Sequence, residues 1–240
     1  MTPITGETCE ICGDSVLGST HNWGAPLLAG FARSETAATV GIECAACQKE
    51  KRSFTKATAY GAYDGGLREL IHLLKYERVE PAAGVLGTML AEAIGKLQVS
   101  SKSLVVVPVP LYAGKRRDRG FNQAELIARK ALKELDLPHA QLMTDVVERI
   151  RPSASQIGLT RPQWRENIRG AFRVSHPNKI YSRDVLLVDD VLTTGTTASE
   201  CARILRKASA QNVWVATVAC TLKHQEAVEI GPQFETAQAS

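Results

Sequence analysis

No apolar run in this chain of 240 residues approaches the roughly 18 that a membrane-spanning helix needs; Val185-Leu-Leu-Val188 stops after four, at Asp189. The start, Met1-Thr-Pro-Ile-Thr-Gly-Glu7, has no basic segment followed by an apolar one. A secretory leader is therefore not expected, and the cytoplasm is the expected compartment. There is no internal repeat beyond a pair of Cys-x-x-Cys motifs. Neither sign of charge dominates, since 29 Lys and Arg face 25 Asp and Glu, and a net +4 does not by itself imply a nucleic-acid partner. With 44% hydrophobic and 22% charged residues, disorder, collagen-like repeats and coiled coil are excluded as the main description. The length suits one ordinary domain plus a small module.

Six cysteines are present, and they do not read as a disulfide set. Four fall as Cys9-x-x-Cys12 and Cys44-x-x-Cys47, separated by 31 residues. In a chain without a leader, two such knuckles turn four thiolates toward one point, the tetrahedral set that Zn²⁺ prefers, and a full set of four implies a structural ion. A pair of redox motifs is the competing reading. His21 is expected at the surface, Trp23 under the module, and Cys201 and Cys220 as small core residues. Residues 1–50, rich in small residues and weakly periodic, are expected as a Cys₄ zinc module whose metal substitutes for a core.

Charge is distributed unevenly. Between 149 and 183 stand eight basic residues (Arg149, Arg151, Arg161, Arg165, Arg169, Arg173, Lys179, Arg183), opposed within that stretch by Glu166 alone. Lys115-Arg-Arg-Asp-Arg119 forms a second cluster. Such local excess suits a polyanion, phosphate, pyrophosphate or nucleic acid, or a merely solvated basic face.

From Tyr63 onward helical and extended patterns alternate. Leu67, Leu70, Ile71 and Leu74 recur at helical spacing after Asp64, a candidate N-cap, and a second helix follows Pro81. Leu104-Val-Val-Val-Pro-Val109, Val185-Leu-Leu-Val188 and Val213-Trp-Val-Ala-Thr-Val218 read as buried strands. Val146-Val147 is a further candidate strand, residues 51–60 a connection or short strand, Asn122 a helix cap, and 196–208 a helix. The expected fold is a parallel α/β sheet flanked by helices, with its ligand at the carboxyl edge of the strands.

At that edge lies Asp189-Asp-Val-Leu-Thr-Thr-Gly-Thr-Thr197. A helix N-terminus with Gly195 and the hydroxyls of Thr193, Thr194, Thr196 and Thr197 suits a phosphate. The two carboxylates would repel phosphate, but they suit sugar hydroxyls or a phosphate-bound Mg²⁺. A phosphorylated ribose satisfies both ends. The plain alternative is a strand–turn–helix junction with Asp as turn former and Thr as cap.

Val185-Leu-Leu-Val-Asp-Asp-Val-Leu-Thr-Thr-Gly-Thr-Thr197 resembles the phosphoribosyl pyrophosphate (PRPP) motif of type I phosphoribosyltransferases. Leu74-Lys-Tyr76, Val107-Pro-Val-Pro-Leu111, Arg119-Gly-Phe-Asn-Gln-Ala124, and Arg151-Pro152 with Gln156, Leu159, Arg165, Asn167 and Gly170-Ala-Phe172 are similar to the ComF family, as is the opening Cys₄ module. The likeness covers most of 9–222. It implies a small zinc-ribbon-like module (1–50), a type I phosphoribosyltransferase-like domain (51–222) and a tail (223–240). It implies that Asp189 and Asp190 hold the ribose hydroxyls, that Thr193, Thr194, Gly195, Thr196 and Thr197 hold the 5′-phosphate, and that Pro110, Leu111 and Tyr112 receive pyrophosphate. It also implies a closing loop over 116–122 carrying Arg116 and Arg119, and a hood over 151–172. Mg²⁺ is implied with PRPP. The function implied is phosphoribosyl transfer to an acceptor the motifs do not name, in DNA uptake and natural transformation. Partners would be single-stranded DNA and a competence helicase or other DNA-processing protein. The alternatives are a PRPP-sensing or DNA-binding factor without turnover, and a scaffold that docks through its zinc module.

Overall fold

The computed structural model describes residues 8–14, 42–99, 103–135, 137–152 and 160–222. His21, Trp23, Gln156, Leu159 and the tail from 223 lie outside them. In chain order the elements are α1 (Ala45–Lys49), β1 (Lys56–Ala62), α2 (Gly65–Tyr76), α3 (Ala82–Lys96), β2 (Leu104–Pro108), α4 (Ala113–Arg119), α5 (Gln123–Glu134), β3 (Ala140–Leu142), β4 (Val147–Arg149), α6 (Arg161–Ile168), β5 (Phe172–Val174), β6 (Asp184–Leu192), α7 (Thr196–Lys207) and β7 (Val213–Cys220). Five strands form one parallel sheet in the order β1-β7-β6-β2-β3, and β4 and β5 form a separate antiparallel pair.

The continuous apolar runs are explained by burial on both faces. Along β2 and β6, Val105, Val107, Val185 and Leu187 point to one side, where they meet Trp164 and Ile168 of α6 and Cys201, Ala202 and Leu205 of α7. Leu104, Val106, Leu186 and Val188 point to the other, onto Leu67 and Ile71 of α2, Leu86 and Leu90 of α3, and Ile127 and Ala131 of α5. Alternation with period two sends neighbours to opposite layers, so a strand covered twice must be apolar throughout. Cys201 and Cys220 are buried as expected. Trp214, expected in the core, is half-buried at its margin.

One segment departs from expectation. The stretch proposed as a loop over 116–122 is helix α4 as far as Arg119, closed by Gly120 in the left-handed conformation. Lys115, Arg116, Arg117 and Arg119, all good helix formers, lie beside a glycine stop, and local propensity wins there. Asn122 then caps α5, its Oδ1 accepting from Ala124 N–H at 3.1 Å and its Nδ2 donating to the Val109 carbonyl at 3.0 Å. The hood segment holds α6, opened by a reciprocal Thr160–Gln163 capping box with Pro162 in its first turn.

The first Cys-x-x-Cys knuckle closes the outer edge of the sheet. Ala57 N–H on β1 donates to the Ile11 carbonyl at 2.6 Å, and Gly13, at φ +70°, passes so close that a Cβ would stand 2.9 Å from the Ala57 oxygen. An edge strand is thereby covered. Among the described residues no helix is long and apolar enough to cross a membrane.

Helix α3 crosses α5 at Gly87, where a Cβ would lie 2.4 Å from Lys130 Cβ and 3.1 Å from Ala131 N. The intrinsic helix gain of Gly→Ala is about 1 kcal/mol, and overpacking against a backbone costs about 1–3 kcal/mol. Gly87→Ala should therefore lose stability in urea denaturation. Gly84→Ala on the same helix, with nothing within 4 Å of the added methyl, should gain it.

Candidate functional site: a charged cleft between two strand ends

Strand β6 is longer than its neighbour. The Val109 N–H bonds the Val188 carbonyl at 2.8 Å, and beyond that point β6 runs on beside β7 alone, with Asp189 opposite Thr217 and Val191 opposite Ala219. The chain leaving β2 passes through α4 and α5 to β3 on one side. The chain leaving β6 passes through α7 to β7 on the other. The two exits diverge, and a cleft of about 220 Å³ opens between them.

Its walls come from five places. Val109, Pro110 and Leu111 follow β2; Asp189, Asp190, Thr193, Gly195 and Thr197 follow β6; Arg119, Asn122 and Gln123 come from the α4–α5 corner; Lys75 ends α2; Arg149 ends β4. Gly195, at φ +73°, is the N-cap of α7, and its carbonyl accepts from Ser199 N–H at 2.9 Å. That left-handed turn suits glycine, and it brings the first turn of α7, with Thr197 and Ala198, to the wall of the cleft.

The charges set one another. Burial first, and then the Asp190 carboxylate beside it, push Asp189 up to about 7, while Lys75 and Arg149 oppose the rise. Lys75 reaches across from α2 and donates to Asp190 Oδ1 at 2.7 Å, both side chains being mostly buried. Burial works against the Lys75 charge, but Asp190 and Asp189 outweigh it and hold the ammonium above its ordinary range. Burial and the cations Arg149, Arg119 and Lys75 together press Lys115 down. Three cations, Lys75, Arg119 and Arg149, line a cleft that also holds two acids, and Lys115 stands near enough to feel them. Gln123 adds a further polar group to the cleft. It is 1% exposed, its Oε1 accepts from Arg119 Nη1 at 2.9 Å, and its Nε2 is buried without a partner among the described residues.

Most of the expected residues meet here, and some do not. Asp189, Asp190, Arg119, Pro110, Leu111, Thr193, Gly195 and Thr197 line the cleft. Thr194 and Thr196 sit one layer back, their hydroxyls 2.9 Å apart. Tyr112 is at the N-cap of α4, outside the lining. Arg116 is also outside it, well exposed and 3.7 Å from Glu125. Lys75, singled out only within the Leu74-Lys-Tyr76 likeness, and Arg149, expected only as part of a basic stretch, both line the cleft. The Leu74-Lys-Tyr76 signature was the signal for the first; nothing local marks the second. Three of the eight basic residues of 149–183 meet acids from elsewhere in the chain: Glu50 on Arg165 at 2.5 Å, Glu148 on Arg173 at 2.8 Å, and Asp145 on Lys179.

The four cysteines Cys9, Cys12, Cys44 and Cys47 form a second centre. Their sulfurs lie within 4.8 Å of one another, with Cys12 and Cys44 at 3.6 Å. A tetrahedron with metal–sulfur bonds of 2.3 Å needs sulfurs about 3.8 Å apart, so the set fits a metal ion. The Cys47 thiol is pulled down, first by Cys12 hydrogen-bonded to it and further by Arg52.

The chain matches the family described as phosphoribosyl transferase domain over residues 119–233. It is 31% identical over 176 residues to competence protein F of Haemophilus influenzae, covering 72% of this chain and 76% of that protein. It is 31% identical over 181 residues to DNA utilization protein YhgH of Escherichia coli K12, again covering 72% and 76%. Among solved structures, a hypoxanthine phosphoribosyltransferase from Staphylococcus aureus aligns with a TM-score of 0.37 and 17% identity, over 59% of this chain and 64% of that one. The parallel sheet flanked by helices is a phosphoribosyltransferase-like fold.

The raised Asp189 has a consequence for stability. Its folded value near 7 stands above the 3.8 of an unconstrained carboxyl. Between those values the native state holds a proton that the unfolded chain has lost, so stability falls as pH rises through that window and the deficit is complete above it. Asp189→Asn removes the deficit. In urea denaturation the variant should exceed the wild type at pH 8 by on the order of 1 kcal/mol, discounted for a cleft open to solvent. The advantage should shrink toward pH 4. Equal stabilities at pH 8 would contradict the assignment.

Proposed function

The chain belongs to the ComF family, and on that premise we propose that it binds PRPP with Mg²⁺ in the cleft between β2 and β6 and transfers the phosphoribosyl group to an acceptor, in the service of DNA uptake. The observation that carries this reading is the pairing of two adjacent carboxylates with a helix N-terminus in one cleft. Few ligands ask for both a dianion cup and two hydroxyl acceptors at neighbouring positions.

Asp189 and Asp190 take the ribose 2′- and 3′-hydroxyls. The turn from Thr193 to Thr197 takes the 5′-phosphate through backbone N–H groups and threonine hydroxyls. Pyrophosphate lies toward Pro110 and Leu111, where Arg119, Lys75 and Arg149 supply positive charge. In transfer, the bond from ribose C1 to pyrophosphate breaks, the acceptor's electron pair forms the new bond to C1, and the departing oxygens carry the electron pair away. Charge develops on C1 and on the leaving group, and fixed charges on both sides lower the barrier. Bound Mg²⁺ would neutralise part of the pyrophosphate charge. The cysteine set holds a structural Zn²⁺. The DNA role rests on the names of the relatives, competence protein F and DNA utilization protein.

Calorimetric titration of the intact protein with PRPP and Mg²⁺ tests the site. Replacing both carboxylates, Asp189→Asn with Asp190→Asn, removes two charge-assisted hydrogen bonds and should weaken binding about 100-fold or more while circular dichroism stays native. Unchanged affinity in the folded double variant would remove Asp189 and Asp190 from the ribose site.

A further inference from the structure

The last turn of α2 serves the cleft twice. Lys75 reaches Asp190, and its neighbour Tyr76, about 100° further round the helix, meets α4 instead. Tyr76 is 63% exposed, whereas the same helix buries Leu67, Ile71 and Leu74 in the core, so the tyrosine ring does not serve the core. Its contacts are of another kind. The ring of His72, one turn back, lies against it with centroids 4.6 Å apart, and the Arg119 guanidinium stands over it at 5.4 Å. The same guanidinium donates from Nη1 to Gln123 Oε1 at 2.9 Å, and Gln123 is itself buried. Arg119 thus has two seats. It ends a helix, α4, none of whose residues is buried, and Gly120 follows it at φ +86°, so no core packing fixes its place. Arg78, just beyond α2, adds a tie between the same two elements by donating to the Asp118 carbonyl.

We propose that Tyr76 is a positioning residue for Arg119, holding its guanidinium ready for the pyrophosphate group of the ligand. The inference rests on the reading of this cleft as a PRPP site. Both seats of Arg119 are uncharged. A carboxylate would hold the guanidinium too, but it would also cancel the charge that a pyrophosphate needs. A ring face attracts the cation through its quadrupole and an amide oxygen through its dipole, so both leave the full charge to the ligand. Arg119 shares the wall of the cleft with Lys75 and Arg149, and the ring face offsets part of the repulsion among them. An arginine has many rotamers, and one already confined loses less freedom when an anion arrives. The gain falls on the pyrophosphate end alone, because the turn from 193 to 197 belongs to other elements.

Calorimetric titration of the full-length protein with PRPP and Mg²⁺, and separately with ribose 5-phosphate, which lacks the pyrophosphate, tests this. Circular dichroism first shows each variant to be folded. Tyr76→Leu should bind PRPP about two- to fivefold more weakly, the range of an exposed cation–π pair, and ribose 5-phosphate as the wild type does. Tyr76→Phe, which keeps the ring, should bind PRPP like the wild type. Arg119→Met should weaken PRPP about tenfold or more, and adding Tyr76→Leu to it should change nothing further, because the tyrosine acts only through the guanidinium. A merely structural tyrosine would weaken both ligands alike and would act beside Arg119→Met as well. Wild-type PRPP affinity in Tyr76→Leu, an equal loss for ribose 5-phosphate, no recovery in Tyr76→Phe, or an undiminished effect beside Arg119→Met overturns the positioning role and leaves the PRPP reading standing. A wild type that does not bind PRPP overturns both. Should one comparison fail, through an unfolded Arg119→Met or ribose 5-phosphate too weak to titrate, the other decides.

Discussion

Two carboxylates on consecutive residues at the end of a buried strand are the constraint to which the rest of the structure answers. Neighbouring anions in a partly desolvated site repel each other, and each loses hydration. The molecule meets this with Lys75 on Asp190 and with Arg149 near Asp189, drawn from elements far apart in sequence. The terminus of α2 must therefore stand over the end of β6, and the β4–β5 ribbon must lean in from the other side. Both placements are fixed by core packing: Leu67, Ile71 and Leu74 of α2 below one face of the sheet, Val147 and Phe172 of the ribbon on the other. Core and site are coupled because the core delivers the counterions.

The sheet and its helices were legible because their signal is local and redundant. Runs such as 104–109 and 185–188 can be satisfied only by burial on both faces, and the spacing of Leu67, Ile71 and Leu74 only by a helix lying on a core. Of the three-residue strands, β4 is marked by the pair Val146-Val147, whereas β3 and β5 are too short for a period to declare itself. The expected closing loop over 116–122 has a different origin: the resemblance implied it, but Lys and Arg are good helix formers, so the chain is helix as far as Arg119, and Gly120 supplies the stop.

The candidate site was legible wherever one continuous segment builds it. Asp189 to Thr197 is such a segment, and its chemistry can be read without a fold. Lys75, Arg149 and Gln123 reach the cleft only through tertiary structure. Taken alone, a lysine at a helix end or an arginine in a basic stretch has an adequate local explanation, and nothing in the residue's own neighbourhood overrules it. The same limit applies to the charge from 149 to 183. The opposing acids Glu50, Glu148 and Asp145 lie outside or before that stretch and meet it in space. Exposed pairs of this kind add little stability, but they cancel part of the field that a linear count suggests.

The surviving positive field is consequently concentrated rather than broad. Lys75, Arg119 and Arg149 line one cleft, and they are close enough to Lys115 to press on it. A surface meant to track a long polyanion by charge alone would spread its cations along a groove. A site meant for a compact, highly charged ligand focuses them and places acceptors for its uncharged part alongside. Such focusing is costly, since like charges repel, and it is a cost that an anion entering the cleft would offset.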